Sequence, residues 1–122
     1  VSDRARWVAF SGALLALLAV ILGALGSHVI GAGGLVDAWE AANRMHLFNA
    51  AGLLGLAALL ARHDSRLLLW GAWALVLGTL LFAGSIYLHV ITGYKITNMA
   101  PAGGVLMMLG WLLAAIGLAS KS

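Results

Sequence analysis

Residues 67–94 read LLLWGAWALVLGTLLFAGSIYLHVITGY and contain no Asp, Glu, Lys or Arg. A helix crossing the roughly 30 Å hydrocarbon core of a bilayer needs about 20 predominantly apolar residues, so this stretch reads as a membrane span. Similar uncharged runs extend from Trp7 to Val36, Met45 to Ala61 and Ile96 to Ser120. With 63% hydrophobic and 9% charged residues, the chain has too little polar surface to cover a water-soluble globule. The expectation is one all-α transmembrane domain, residues 1–122, with four helices at about 5–28, 38–61, 66–92 and 101–119.

Arg4 and Arg6 ahead of the first run, with Ala24-Leu25-Gly26 near its end, imitate a secretory signal. Signal h-regions span only about 7–15 residues, so the run is read as a permanent helix. The chain has no cysteine, which removes disulfides, thiolate metal ligands and Cys nucleophiles.

Basic residues set the expected orientation. Arg4, Arg6, Arg62, Arg66 and Lys121 fall on one side of the four spans, against Arg44 and Lys95 on the other. The positive-inside tendency places both termini in the cytoplasm. The net charge of +3 is accounted for by this asymmetry, and no basic patch suggests nucleic acid as a partner.

Local signals refine the spans. Asp37 with Glu40 resembles a capping box and starts helix 2 near Ala38. Glu40 and Arg44 are spaced as an i,i+4 pair. Asp64 or Ser65 suits the start of helix 3, Gly93 its end, and Pro101 the first turn of helix 4. The resulting connections are short, which favours antiparallel neighbours and an up-down bundle. Trp7, Trp39, Tyr87 and Tyr94 read as interfacial anchors.

Small residues mark the expected packing faces. Ala5, Ala9, Gly12, Ala16, Ala19, Gly23 and Gly26 form one stripe on helix 1, Gly71, Ala74, Gly78 and Ser85 one on helix 3, and Gly103, Gly110, Ala114 and Gly117 one on helix 4. In lipid there is no hydrophobic drive between helices, and close approach at such faces is the adhesive. The same faces serve either packing within the bundle or association with a partner or a second copy. His28-Val29-Ile30-Gly31 and His89-Val90-Ile91-Thr92-Gly93, 61 positions apart, form a short internal echo of common residue types.

Polar residues near the expected outer ends of the spans are the only candidates for chemistry. His28, His46 and His89 could ligate copper or zinc through neutral imidazole, with Asn43, Asn49 and Ser85 as a polar outer rim. No pair has the local spacing of a metal motif, so a site requires the three to converge in space. The simpler reading gives the imidazoles interhelical or backbone hydrogen bonds. No acid or base lies deep in any span, against the needs of an ion-coupled transporter. Ser11, Ser27 and Ser85 have no acidic partner at comparable depth, against a Ser-His-Asp enzyme. Gly31-Ala32-Gly33-Gly34 and Gly103-Gly104 lack the context of phosphate loops. The pair Met107-Met108 reads as packing.

Three motifs together carry a family resemblance: Gly23-Ala24-Leu25-Gly26-Ser27-His28, then Gly78-Thr79-Leu80-Leu81-Phe82-Ala83-Gly84-Ser85-Ile86-Tyr87, then Pro101-Ala102-Gly103-Gly104 with Gly110-Trp111. In this order, over nearly the whole chain, they resemble the YgdD-type small inner-membrane proteins. The resemblance implies a four-helix inner-membrane protein without an established activity. The family pattern has a histidine where helix 2 enters the membrane. Here that position is Asn49, and His46 stands three residues earlier, on the same helix face.

The functional expectation is therefore a non-enzymatic accessory or interaction subunit of a membrane complex, with no cofactor. The rivals are an outward-facing His site for copper, zinc or a small ligand, and passage of a small solute through the bundle.

Overall fold

The computed structural model describes residues 2–28 and 34–120, with the side chains of His28 and Gly34 outside the description. Four helices follow one another: α1 (Asp3–His28), α2 (Gly34–Arg62), α3 (Arg66–Thr92) and α4 (Met99–Ala119). At 1.5 Å per residue they are about 39, 44, 40 and 32 Å long, and each is long and apolar enough to cross a membrane. The chain is an all-α membrane protein.

The neighbours run antiparallel. Gly12 lies against Ala50 and Gly23 against Asn43 between α1 and α2. Asn49 meets Thr79 and Asn43 meets Tyr87 between α2 and α3, and Gly71 meets Gly110 between α3 and α4. In each case one residue number rises as the other falls, which defines an up-down bundle. The α2–α3 turn gathers the ends of α1 and α4: Arg4 Nη1 lies 3.5 Å from Asp64 Oδ1, and His63 Nε2 lies 3.2 Å from the Gly117 carbonyl. Packing follows chain order, closest between α3 and α4, and among the described residues α1 and α4 share no packed interface. The bundle is thus open on one side.

Helix ends are set by local chemistry. Ser65, in an extended conformation, accepts a hydrogen bond on its hydroxyl from the Leu68 amide at 3.2 Å and caps α3. Gly93 ends α3 in the left-handed region at φ 77°, its amide bonded to the His89 carbonyl. Pro101 sits in the first turn of α4, where a missing N–H costs nothing. The start of α2 differs from the capping-box expectation: the helix begins at Gly34, so Asp37 lies inside its first turn. A carboxylate there faces the positive end of the helix dipole. Glu40 and Arg44 form no ion pair among the described residues, where the only two are Arg4–Asp64 and Arg6–Asp3.

Small residues bring the backbones together. A Cβ on Gly71 would stand 2.6 Å from the Gly110 carbonyl oxygen, and one on Gly110 would stand 2.8 Å from the Gly71 carbonyl oxygen. The α3–α4 contact is therefore backbone on backbone, repeated where Gly103 abuts Phe82 N and Gly78 abuts Met107. On α1, Gly12 faces Leu53 and Ala50, Gly23 faces the Asn43 carboxamide and Gly26 faces the Trp39 indole, with Ala5 and Ala19 buried and Ala9 and Ala16 partly buried along the same stripe. Leu15, Leu53, Leu56, Leu68 and Leu75 fill the space between these close approaches.

Candidate functional site

One face of α2 carries the chemistry. Trp39, Asn43, His46 and Asn49 follow at spacings of four, three and three, which keeps them on one side of a helix. That side also presents Ala42, Ala50 and Leu53, all 0% exposed, so the polar groups are carried into the core and must be satisfied there.

The deeper group centres on Asn49, which is 0% exposed. Trp111 Nε1–H is a donor only, so the Asn49 atom it meets at 3.0 Å is the carbonyl oxygen Oδ1. The amide orientation is thereby fixed, and Nδ2 donates to Thr79 Oγ1 at 3.2 Å and to Met107 Sδ at 2.8 Å. One carboxamide thus ties α2 to both α3 and α4. Asn49 and Thr79 lie near the midpoints of α2 and α3. This corrects the expectation that Asn49 belongs to an outer rim: α2 begins at Gly34, so position 49 is half a helix away from its start. Met107 packs in the core as expected, and its sulfur also accepts a hydrogen bond.

The second group lies about two turns nearer the start of α2. Asn43 Nδ2 donates to the Ala19 carbonyl of α1 at 2.8 Å and to the Tyr87 hydroxyl of α3 at 3.2 Å. The Tyr87 hydroxyl is also 3.0 Å from His46 Nδ1. The phenol joins the two α2 side chains through one oxygen, which accepts from Asn43 and shares a single proton with His46 Nδ1. His46 Nε2 is buried and has no hydrogen-bond partner among the described residues. Trp39 closes the group, its indole N–H donating to the Leu22 carbonyl at 2.8 Å and its ring 4.7 Å from that of Tyr87. Trp39 is 1% and Tyr87 7% exposed. Both are core residues where interfacial anchors were expected, because each polar tip finds a partner inside the bundle. Trp7 and Tyr94 are exposed.

The histidines are dispersed. His46 is engaged by Tyr87, and the side chain of His28 lies outside the described residues. His89, two positions after Tyr87 and so rotated about 200° around α3, lines a separate groove between α3 and α4 with Ser85. Ser85 itself donates to the Phe82 carbonyl of its own helix at 3.0 Å. Among the described residues no three His, Asp or Glu side chains are grouped as a metal site would need. Sequence reading missed Thr79, Tyr87 and Trp111 as hydrogen-bonding partners. The available signal was the 39/43/46/49 spacing, which places four polar-tipped side chains on the apolar face of one helix.

A helical membrane protein of this size, with a hydrogen-bonded core and no deep charge, defines a class of small multi-pass membrane proteins. Residues 22–104 match a family described as "Protein of unknown function (DUF423)", and the chain belongs to that family. It is 34% identical over 110 residues to a UPF0382 membrane protein of Staphylococcus saprophyticus, covering 87% of this chain and 91% of the relative. A UPF0382 membrane protein of Staphylococcus epidermidis is 36% identical, covering 86% and 88%. The UPF0382 inner membrane protein YgdD of Escherichia coli is 31% identical over 116 residues, covering 92% and 88%. The YgdD-type resemblance and the inner-membrane assignment both stand on these relatives. No solved structure matches the chain.

Proposed function

We propose that this protein works without catalysis, as an accessory or interaction subunit that docks another transmembrane helix on the outer face of α2. The carrying observation is an exposed small-residue stripe. Ala51, Gly55 and Ala58 lie at spacings of four and three on the side of α2 turned away from the core, and all three are exposed. A Cβ at Gly55 would have nothing within 4 Å. Glycine inside a helix costs about 0.5–1 kcal/mol relative to alanine, and no contact among the described residues uses the room it leaves. Gly84 on α3 is equally free, but exposed leucines, Leu80 and Leu88, stand one turn to each side of it, whereas Gly55 has Ala51 one turn before it and Ala58 one turn after it, with Phe48 and Leu59 at the margin. The α2 stripe is the face suited to close helix approach.

The absence of cysteine makes a clean experiment available. Single cysteines at Ala51, Gly55 and Ala58 in native membranes should give one discrete crosslinked species, and a cysteine at Leu112 on the exposed face of α4 should not. Its mass separates a second copy from a different subunit. A free monomer at every position, or equal crosslinking from both faces, would overturn the reading.

A further inference from the structure

The groove that holds His89 has features the bundle itself does not use. It lies between the end of α3, the α3–α4 connection and the start of α4, with a volume of about 420 Å³. That falls within the roughly 300–1,000 Å³ of small-molecule sites. Its lining combines apolar Ile86, Ile96 and Pro101 with polar His89, Lys95 and Asn98. No carboxylate lines it. Three polar groups there lack partners among the described residues. His89 Nδ1 is buried without a hydrogen bond. Asn98 precedes α4 in the left-handed region at φ 68°, and its side chain makes no capping bond. Lys95 is exposed and has no ion pair.

A buried ring nitrogen without a partner costs free energy comparable to a lost hydrogen bond, and the imidazole that carries it lines the groove together with a cation and a carboxamide that makes no capping bond. An anion bearing several acceptor oxygens fits all three: Lys95 supplies charge, and Asn98 and a His89 N–H donate. The apolar lining then distinguishes an amphiphile from a free ion, because Ile86, Ile96 and Pro101 would remain uncovered by inorganic phosphate. The groove lies at a helix end, the level at which lipid headgroups meet α3 and α4 and at which a lysine stem can lie along apolar surface while its ammonium reaches phosphate. We propose that this groove is a binding site for the phosphate headgroup of an anionic phospholipid, with its glycerol and upper acyl carbons against Ile86, Ile96 and Pro101.

The test uses the full chain in neutral detergent micelles, with the histidine rings and tryptophan indoles labelled with 15N and titrated with short-chain phosphatidylglycerol. The His89 ring signals should shift saturably while those of His46 and His63 stay in place. Lys95→Ala, on an exposed loop residue, should weaken the response at least fivefold, and the unchanged Trp111 indole signal would show that the bundle is intact. Inorganic phosphate at the same concentration should give no saturable shift. A His89 signal indifferent to phosphatidylglycerol, or equal responses in wild type and Lys95→Ala, would overturn the site. Saturation by inorganic phosphate at the same concentration would overturn the lipid assignment.

Discussion

Trp111 of α4 donates its indole proton to the Asn49 carboxamide of α2 at 3.0 Å, across an interface whose backbones are otherwise joined through α3. A double-mutant cycle of Asn49→Leu with Trp111→Phe should return a coupling between about 0.6 and about 1.7 kcal/mol, the mean and the maximum for polar contacts between membrane helices. Thermal unfolding in detergent measures it. Additivity of the two substitutions would mean that the bond contributes nothing to stability.

The backbone contact between α3 and α4 predicts opposite outcomes for one substitution at two glycines. Gly110→Val places methyl groups into the Gly71 carbonyl and Leu75 and should destabilise by about 1–3 kcal/mol, as overpacking does. Gly84→Val has nothing within 4 Å to meet and should lie within about 0.5 kcal/mol of wild type. Equal melting temperatures for the two variants would contradict this arrangement of the helices.

Tyr87→Phe keeps the ring beside Trp39 but removes the oxygen shared by Asn43 and His46. The expected loss is about 1–2 kcal/mol, because buried His46 is left without a partner and Asn43 keeps only its bond to the Ala19 carbonyl. The 15N shifts of His46 should change at the same time, since Nδ1 loses its hydrogen-bond partner. A stability loss with His46 signals unmoved would separate ring packing from the hydrogen bond.

Ser65→Ala removes the side-chain acceptor at the start of α3. A cost of about 0.5–2 kcal/mol is expected, with Ser65→Gly milder by most of that amount. Because the Ser65 hydroxyl also lies against Gly117, amide exchange should quicken at the first turn of α3 and the last turn of α4 together.

The distribution of Arg and Lys predicts orientation. A fluorescent protein fused after Ser122 should fold in the cytoplasm, and alkaline phosphatase inserted after Thr97 should be active on the opposite side. The reverse pattern would show that Arg44 and Lys95 outweigh the five basic residues at the other end.

Helix number and pairing were legible because uncharged length and short connections are one-dimensional properties. Depth and azimuth were less so. Asn49 looked peripheral because its depth was counted from Met45, where the uncharged run starts, although a helix that includes Glu40 and Arg44 has its midpoint beside Asn49. Trp39 and Tyr87 looked like headgroup anchors because amphipathic rings near span ends usually are. Their carbonyl, amide and imidazole partners come from helices 17, 44 and 41 residues away, and no local pattern states that pairing. The three histidines shared a run-end position in the sequence, but a two-residue step along α3 was enough to turn His89 away from the Tyr87 cluster.

The order in which the chain is made gives Asn49 a waiting period. Its acceptor is answered by a tryptophan 62 residues later and its donor by groups 30 and 58 residues later. At synthesis rates of roughly 5–20 residues per second, about 3–12 s separate the emergence of Asn49 from that of Trp111. During that interval the nascent chain carries an amide in lipid whose completing helix does not yet exist. A chain truncated before α4 would keep it permanently, offering membrane quality control a physical mark by which unfinished copies differ from finished ones.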